Sequence, residues 1–133
     1  MSGALLFDTC VLIDCLRGHE ASRQIIETTL AGKIRPALSV ISSMELQAGS
    51  LMDNPVIKQQ TENLVSCFNV LPITDKEATT AGLLLRRHRS QGLTPMDALV
   101  AATVLENGAV LITRNVKHFR IIQDLVVLAA PLE

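Results

Sequence analysis

The sequence predicts an α/β fold, a three-layer α/β/α sandwich around a mainly parallel central sheet. Three observations predict it. Short apolar runs alternate with segments of helical period from one end of the chain to the other. That alternation favours parallel strands with helices on both faces. The chain has 133 residues, 48% of them hydrophobic and 19% charged, which suits one folded domain spanning 1–133 with a core of its own.

The elements follow in order. Residues 4–7 read as a short buried strand closed by Asp8, and 21–30 as a helix that Gly32 stops. Pro36 keeps the chain from returning to helix, and 37–41 is the next strand. Ser42 then reads as an N-cap with Glu45 three residues on, a capping-box spacing, before a short helix over 44–51. Pro55 starts a helix that runs towards Cys67, and 69–73 is a strand with Pro72 near its end. Thr74 and Glu77 repeat the capping signature for a helix that reaches about Ser90, where Gly92 ends it. Thr94-Pro95-Met96-Asp97 is the clearest helix start: a threonine cap, proline in the first helical position and an acid in the third. Gly108 closes that helix, 109–113 is a compact strand, and 125–128 is the last.

Composition narrows the function. Basic and acidic residues nearly balance at a formal charge of −1, unlike a strongly basic nucleic-acid binder, although a sum does not exclude a local basic patch. Three Phe and no Tyr or Trp leave the core to aliphatic residues and argue against base-stacking platforms. Cys10, Cys15 and Cys67 are odd in number and lack metal-ligand spacing, so reduced, mostly buried thiols in a cytoplasmic protein are expected. No apolar run reaches membrane-spanning length, and Met1-Ser2-Gly3-Ala4 has no basic leader region, so neither membrane insertion nor secretion is expected. The final Leu132-Glu133 is given no functional weight.

Ligands of parallel sheets collect beyond the carboxyl ends of the strands. Asp8, Glu45 and Asp97 all fall there. Each has an ordinary reading: a cap or turn for Asp8, a capping-box partner for Glu45, and an acid favoured by the helix dipole for Asp97. Together they form a different case. Three carboxylates brought to one crevice repel unless a cation compensates, and a hard divalent ion prefers such oxygen ligands. Mg²⁺ is expected, with Mn²⁺ as a substitute, rather than zinc. Thr9 and Thr113 are placed to orient the acids from a second layer. Asp14 is read as a cap or a charged contact rather than a catalytic group. Arg114, Lys117 and Arg120 form a basic cluster beside the expected pocket, suited to phosphate. Arg86, Arg87, His88 and Arg89 form another, which reads equally well as a solvated surface.

Four segments carry a family resemblance. Leu6-Phe7-Asp8-Thr9-Cys10-Val11-Leu12-Ile13-Asp14, Ser39-Val40-Ile41-Ser42-Ser43-Met44-Glu45-Leu46, Leu93-Thr94-Pro95-Met96-Asp97-Ala98-Leu99-Val100-Ala101-Ala102 and Ala109-Val110-Leu111-Ile112-Thr113-Arg114-Asn115-Val116-Lys117-His118-Phe119 stand in this order. They resemble the acidic motifs of PIN-domain ribonucleases, specifically the VapC-type toxins of toxin–antitoxin systems. The resemblance implies a PIN-like fold, Mg²⁺-dependent hydrolysis of RNA by Asp8, Glu45 and Asp97, a homodimer, and a proteinaceous antitoxin partner. Where the family often carries a fourth acid, this chain has Asn115 and His118. The first is suited to a water or phosphate contact, the second to phosphate or a proton. A catalytically inactive or regulatory nucleic-acid-binding module and a DNA-cleaving nuclease are the alternatives.

Overall fold

A computed structural model describes residues 3–131. Met1, Ser2, Leu132 and Glu133, on which the readings of the two chain ends fall, lie outside the described residues. Five strands form one sheet: β1 (Leu5–Phe7), β2 (Pro36–Ser39), β3 (Asn69–Leu71), β4 (Val110–Thr113) and β5 (Val127–Ala129). Their order is β3-β2-β1-β4-β5, and all four pairings are parallel. The chain builds outward from β1 to β2 and β3, then crosses to the other side of β1 for β4 and β5. The reversal opens a crevice at the carboxyl ends of β1 and β4.

The central strands are buried on both faces, which is why they read as unbroken apolar runs. Their side chains alternate between two cores. Leu6, Ala37 and Leu111 join one; Phe7, Leu38 and Ile112 join the other. The first core is covered by α5 (Asp75–His88) and α6 (Pro95–Glu106). In α6 Ala98, Val100, Ala101, Ala102, Thr103 and Val104 are all buried, as expected for a helix that is apolar all round. The second core is covered by α1 (Thr9–Leu16), α2 (Glu20–Ala31) and α4 (Pro55–Ser66). There Phe7 meets Phe68 edge-to-face, with ring centroids 5.6 Å apart. Two helical layers around a sheet make the expected sandwich.

The caps explain most boundaries. Thr94 accepts the Asp97 amide at 3.2 Å, and Glu77 accepts the Thr74 amide at 2.8 Å, so two of the three expected capping motifs form. Gly92, at φ 98°, takes the left-handed turn between α5 and α6 that other residues adopt at a cost. Asn54 caps α4 through the amides of Val56 and Ile57.

Four expectations are corrected. Ser42 is not a cap. The strand stops at Ser39, whose hydroxyl accepts the Ser42 amide at 3.3 Å and starts α3 (Val40–Ala48). Val40 and Ile41, read as the end of the strand, form its first turn. The three-residue spacing of Ser42 and Glu45 therefore marks one helix face, not a capping box. A four-residue helix, α7 (Val116–Phe119), follows β4 where none was expected, anchored by the fully buried Phe119. Cys67 is exposed at the end of α4, while Cys10 and Cys15 are half-buried; all three are free thiols. The last strand lies slightly later than expected, at Val127–Ala129.

The corrected cap gives a stability test. Ser39→Ala should lower unfolding free energy by about 1 kcal/mol in denaturant titrations. Glu45→Gln, which removes no cap, should stay within about 0.5 kcal/mol of the parent. A larger loss in Glu45→Gln than in Ser39→Ala would return the capping role to Glu45.

Candidate functional site

Three elements meet at the crevice. Asp8 follows β1, where its amide donates to the Ile112 carbonyl at 2.9 Å and so extends the β1–β4 ladder by one residue. It is also the N-cap of α1, accepting the Thr9 amide on Oδ1 at 2.9 Å. Its other oxygen, Oδ2, accepts the Thr113 hydroxyl at 2.7 Å. Thr113 is fully buried at the end of β4 and itself accepts the Asn115 amide at 3.0 Å. Both carboxylate oxygens of Asp8 are thus fixed by the local backbone and its neighbour strand.

Glu45 comes from the second turn of α3. The Thr9 hydroxyl is 2.6 Å from Glu45 Oε1 and 2.8 Å from Ser42 Oγ. Thr9 has one hydroxyl proton and a carboxylate only accepts, so Thr9 is the donor to Glu45, with the Ser42 hydroxyl packed against the same oxygen. Ser42, fully buried, is therefore part of the site's support, a role its sequence position disguised as capping. Asp97 comes from the first turn of α6 and stands 3.7 Å from His118 Nδ1 on α7.

Asp8, Glu45 and Asp97 line one open pocket of about 570 Å³, together with Thr9, Arg114 and Asn115. Thr113 lies beneath it and His118 beside Asp97. Lys117 and Arg120 are exposed and are not among the lining residues. Arg17, at the C-terminus of α1, lines the pocket and was missed. No sequence signal beyond its charge singled it out. Cys10 also lines it, with Sγ 3.8 Å from Asp8 Oδ2. Burial pushes the Cys10 thiol up, and the Asp8 charge adds to this, so it stays a neutral thiol and a poor ligand at neutral pH. Asp14 is a charged contact: its Oδ2 is 2.9 Å from Arg114 Nε.

Burial raises the Asp8 carboxyl above its ordinary value of 3.8. Hydrogen bonds from Thr113 and Thr9 oppose the shift, the charge of Asp97 reinforces it, and the Cys10 thiol opposes it weakly. Burial and the Asp97 charge thus both work against the bare Asp8 carboxylate. The donor set is hard oxygen. Among the described residues, no three His, Cys, Asp or Glu side chains are gathered tightly enough to hold a metal by themselves. Hard oxygen donors fit an oxygen-preferring divalent cation better than a closed zinc centre built from nitrogen and sulfur ligands.

The shift has a sign. Because the folded pKa of Asp8 lies above the unfolded one, its contribution to stability is present in acid and is lost as pH rises through the folded pKa. In EDTA at pH 7, Asp8→Asn should therefore melt above the parent, and the gap should close as pH falls below the ordinary carboxylate range. Mg²⁺ should raise the melting temperature of the parent and leave the variant unmoved. A variant that melts lower at every pH would contradict this.

Comparison with known proteins agrees with the geometry. Residues 5–124 match the PIN domain. Ribonuclease VapC19 of Mycobacterium tuberculosis is 32% identical over 125 residues, covering 90% of this chain and 95% of its own. Ribonuclease VapC10 of the same organism is 34% identical over 126 residues, covering 91% and 90%. In a toxin–antitoxin complex from Klebsiella pneumoniae, one chain superposes with a TM-score of 0.80 at 30% identity, covering 97% of this chain and 99% of that one. The chain belongs to the PIN-domain family and, within it, to the VapC-type toxins.

Proposed function

We propose that this chain is a Mg²⁺-dependent endoribonuclease, the toxin of a toxin–antitoxin pair. The observation that carries the reading is the convergence of Asp8, Glu45 and Asp97 from three separate elements on one pocket at the carboxyl ends of β1 and β4. The names of its relatives VapC19 and VapC10, both ribonucleases, support the reaction class.

Asp8, Glu45 and Asp97 would hold Mg²⁺, in part through water. When bound, the ion lowers the pKa of a water molecule and polarises the scissile phosphate. The protein's own part is orientation. Thr113 and Thr9 hold the carboxylates of Asp8 and Glu45 in place at the wall of the pocket. Arg114 and Asn115 line the side at the end of β4 and meet the phosphate backbone, a contact that positions RNA without reading its bases. His118, exposed beside Asp97, would contact phosphate or carry a proton at that edge of the site.

An antitoxin partner is supported by the toxin–antitoxin complex from Klebsiella pneumoniae, whose chain shares 30% identity. A homodimer, as in the family resemblance, would cover exposed Leu83 on α5. Of the three consecutive leucines in α5, Leu84 is buried and only Leu83 is strongly exposed.

Purified parent and folded variants should be assayed on single-stranded RNA, structured RNA and DNA. Cleavage should be confined to RNA and abolished by EDTA. Thr113→Val should lower it roughly 10–100-fold, as for loss of a group that orients a metal ligand. Asp8→Asn and Asp97→Asn should cost more than that, with Glu45→Gln also impaired. Full activity in both aspartate variants would reject the centre, preferential DNA cleavage would reject the substrate, and RNA binding without cleavage would favour the regulatory module. Light scattering at several concentrations should give a dimer mass; a constant monomer mass would remove the homodimer.

A further inference from the structure

Asp14 is only 3% exposed, yet it carries an acid and is not one of the residues lining the pocket. Cys10, Ile13 and Arg17 of the same stretch face the pocket instead. Burying a carboxylate is costly unless it is paired and hydrogen-bonded. Asp14 is paired twice: Oδ2 lies 2.9 Å from Arg114 Nε, and Oδ1 lies 3.6 Å from His19 Nδ1. Arg114 is the informative partner. It directly follows Thr113, the residue that orients Asp8, and its side chain is 39% exposed and lines the pocket. A guanidinium has five N–H donors in a rigid fork, more than one carboxylate takes up. Contact through Nε fixes its plane and leaves donors for a second anion.

Arg17 is a second arginine at the same site. It lines the same pocket from the end of α1 and has no ion-pair partner among the described residues. Two guanidinium groups thus share a pocket with three acids. If the acids hold the cation, the arginines are left for the negative charge that arrives with the substrate.

We propose that Asp14 is a positioning residue, which holds Arg114 through Nε so that Arg114, with Arg17, grips a phosphate of single-stranded RNA. The inference rests on the nuclease reading for its substrate. It explains why a buried acid stands six residues after Asp8 in the same segment: one acid serves the cation, the other the arginine. Arg114→Lys does not replace the grip, because an ammonium has no fork to be held at one edge and donate from another.

The test reads RNA binding separately from chemistry. Fluorescence anisotropy of a labelled single-stranded RNA oligonucleotide in EDTA should show roughly tenfold weaker binding for Asp14→Asn and for Arg114→Gln, in line with loss of a charged hydrogen bond. The double variant should bind no more weakly than either alone, and Arg17→Gln should multiply with both. The slope of log affinity against log salt should shrink by about 0.7 in Asp14→Asn, the loss of one phosphate contact on a single strand. In Mg²⁺, KM should rise with kcat nearly unchanged. A merely structural Asp14 would lower the melting temperature without moving the salt slope. If Asp14→Asn does not melt cooperatively, Asp14→Glu, which keeps the charge but displaces the carboxylate, takes its place with the same expectation. Parent-like binding in a folded Asp14 variant, multiplicative losses in the double variant, or no RNA binding by the parent would each overturn the proposal. RNA binding that depends on Asp14 in a protein that cleaves nothing would uphold it while rejecting the nuclease.

Discussion

The pairing of β1 with β4 is the constraint on which the rest of the molecule depends. Leu6 pairs with Leu111 and Phe7 with Ile112, and all four side chains are almost completely removed from water. Two parallel strands so deeply buried must have every backbone group matched. The ladder is therefore complete up to the Asp8 amide, which still finds the Ile112 carbonyl. That last bond sets the height of Asp8 in the crevice, and Thr113 at the end of β4 meets it there. A slip of one residue would exchange the faces of every β1 side chain, moving Phe7 and Leu6 into the wrong cores. The accuracy of the site is thus a by-product of core packing.

Around that pair the chain concentrates charge that it balances only in part. Asp8 is raised by burial and by Asp97, while Thr113 and Thr9 act against the shift. The acids are kept apart by their elements, Asp8 on a strand end, Glu45 on α3 and Asp97 on α6, and each is tethered by neighbours. Asp8 holds Thr9 and Thr113, Glu45 holds Thr9, and Asp97 lies near His118. Thr9 is shared: its amide serves Asp8 and its hydroxyl serves Glu45, so a single residue couples two of the three carboxylates. The same economy appears at the end of β4, where Thr113, Arg114 and Asn115 touch Asp8, Asp14 and the pocket in three consecutive positions.

The helices contribute unequally. α6 is buried nearly all round, and its job is to present Asp97 from a first turn that cannot shift without disturbing the core. α1 divides its sides: Val11 and Leu12 are in the core, Cys10 and Ile13 line the pocket, and Asp14 reaches Arg114. α7 is only four residues long, and buried Phe119 holds it close enough to bring His118 to Asp97. No helix among the described residues is long and apolar enough to cross a membrane.

Much of this was determined by the sequence itself. Unbroken apolar runs separated by helical periods favour parallel strands buried on both faces, because each crossover helix lies against the sheet and covers it. Thr94-Pro95 and Thr74-x-x-Glu77 specify helix starts through chemistry local to four residues, and Asp8 and Asp97 could be assigned to strand and helix ends for the same reason. The tertiary structure alone decided what the ambiguous spacings meant. Ser42-x-x-Glu45 has the same separation whether it caps a helix or shares a helix face. The strand's end at Ser39, which caps α3, selects the second, and Thr9, 33 residues from Ser42 in the chain, then meets that face. Arg17 carried no distinguishing local signal, and Asp14 read equally as a cap or a charged contact until its partner Arg114 was placed. Their roles depend on where the end of β4 lies in space, and a chain contact across a hundred residues is written in packing rather than in any neighbouring residues.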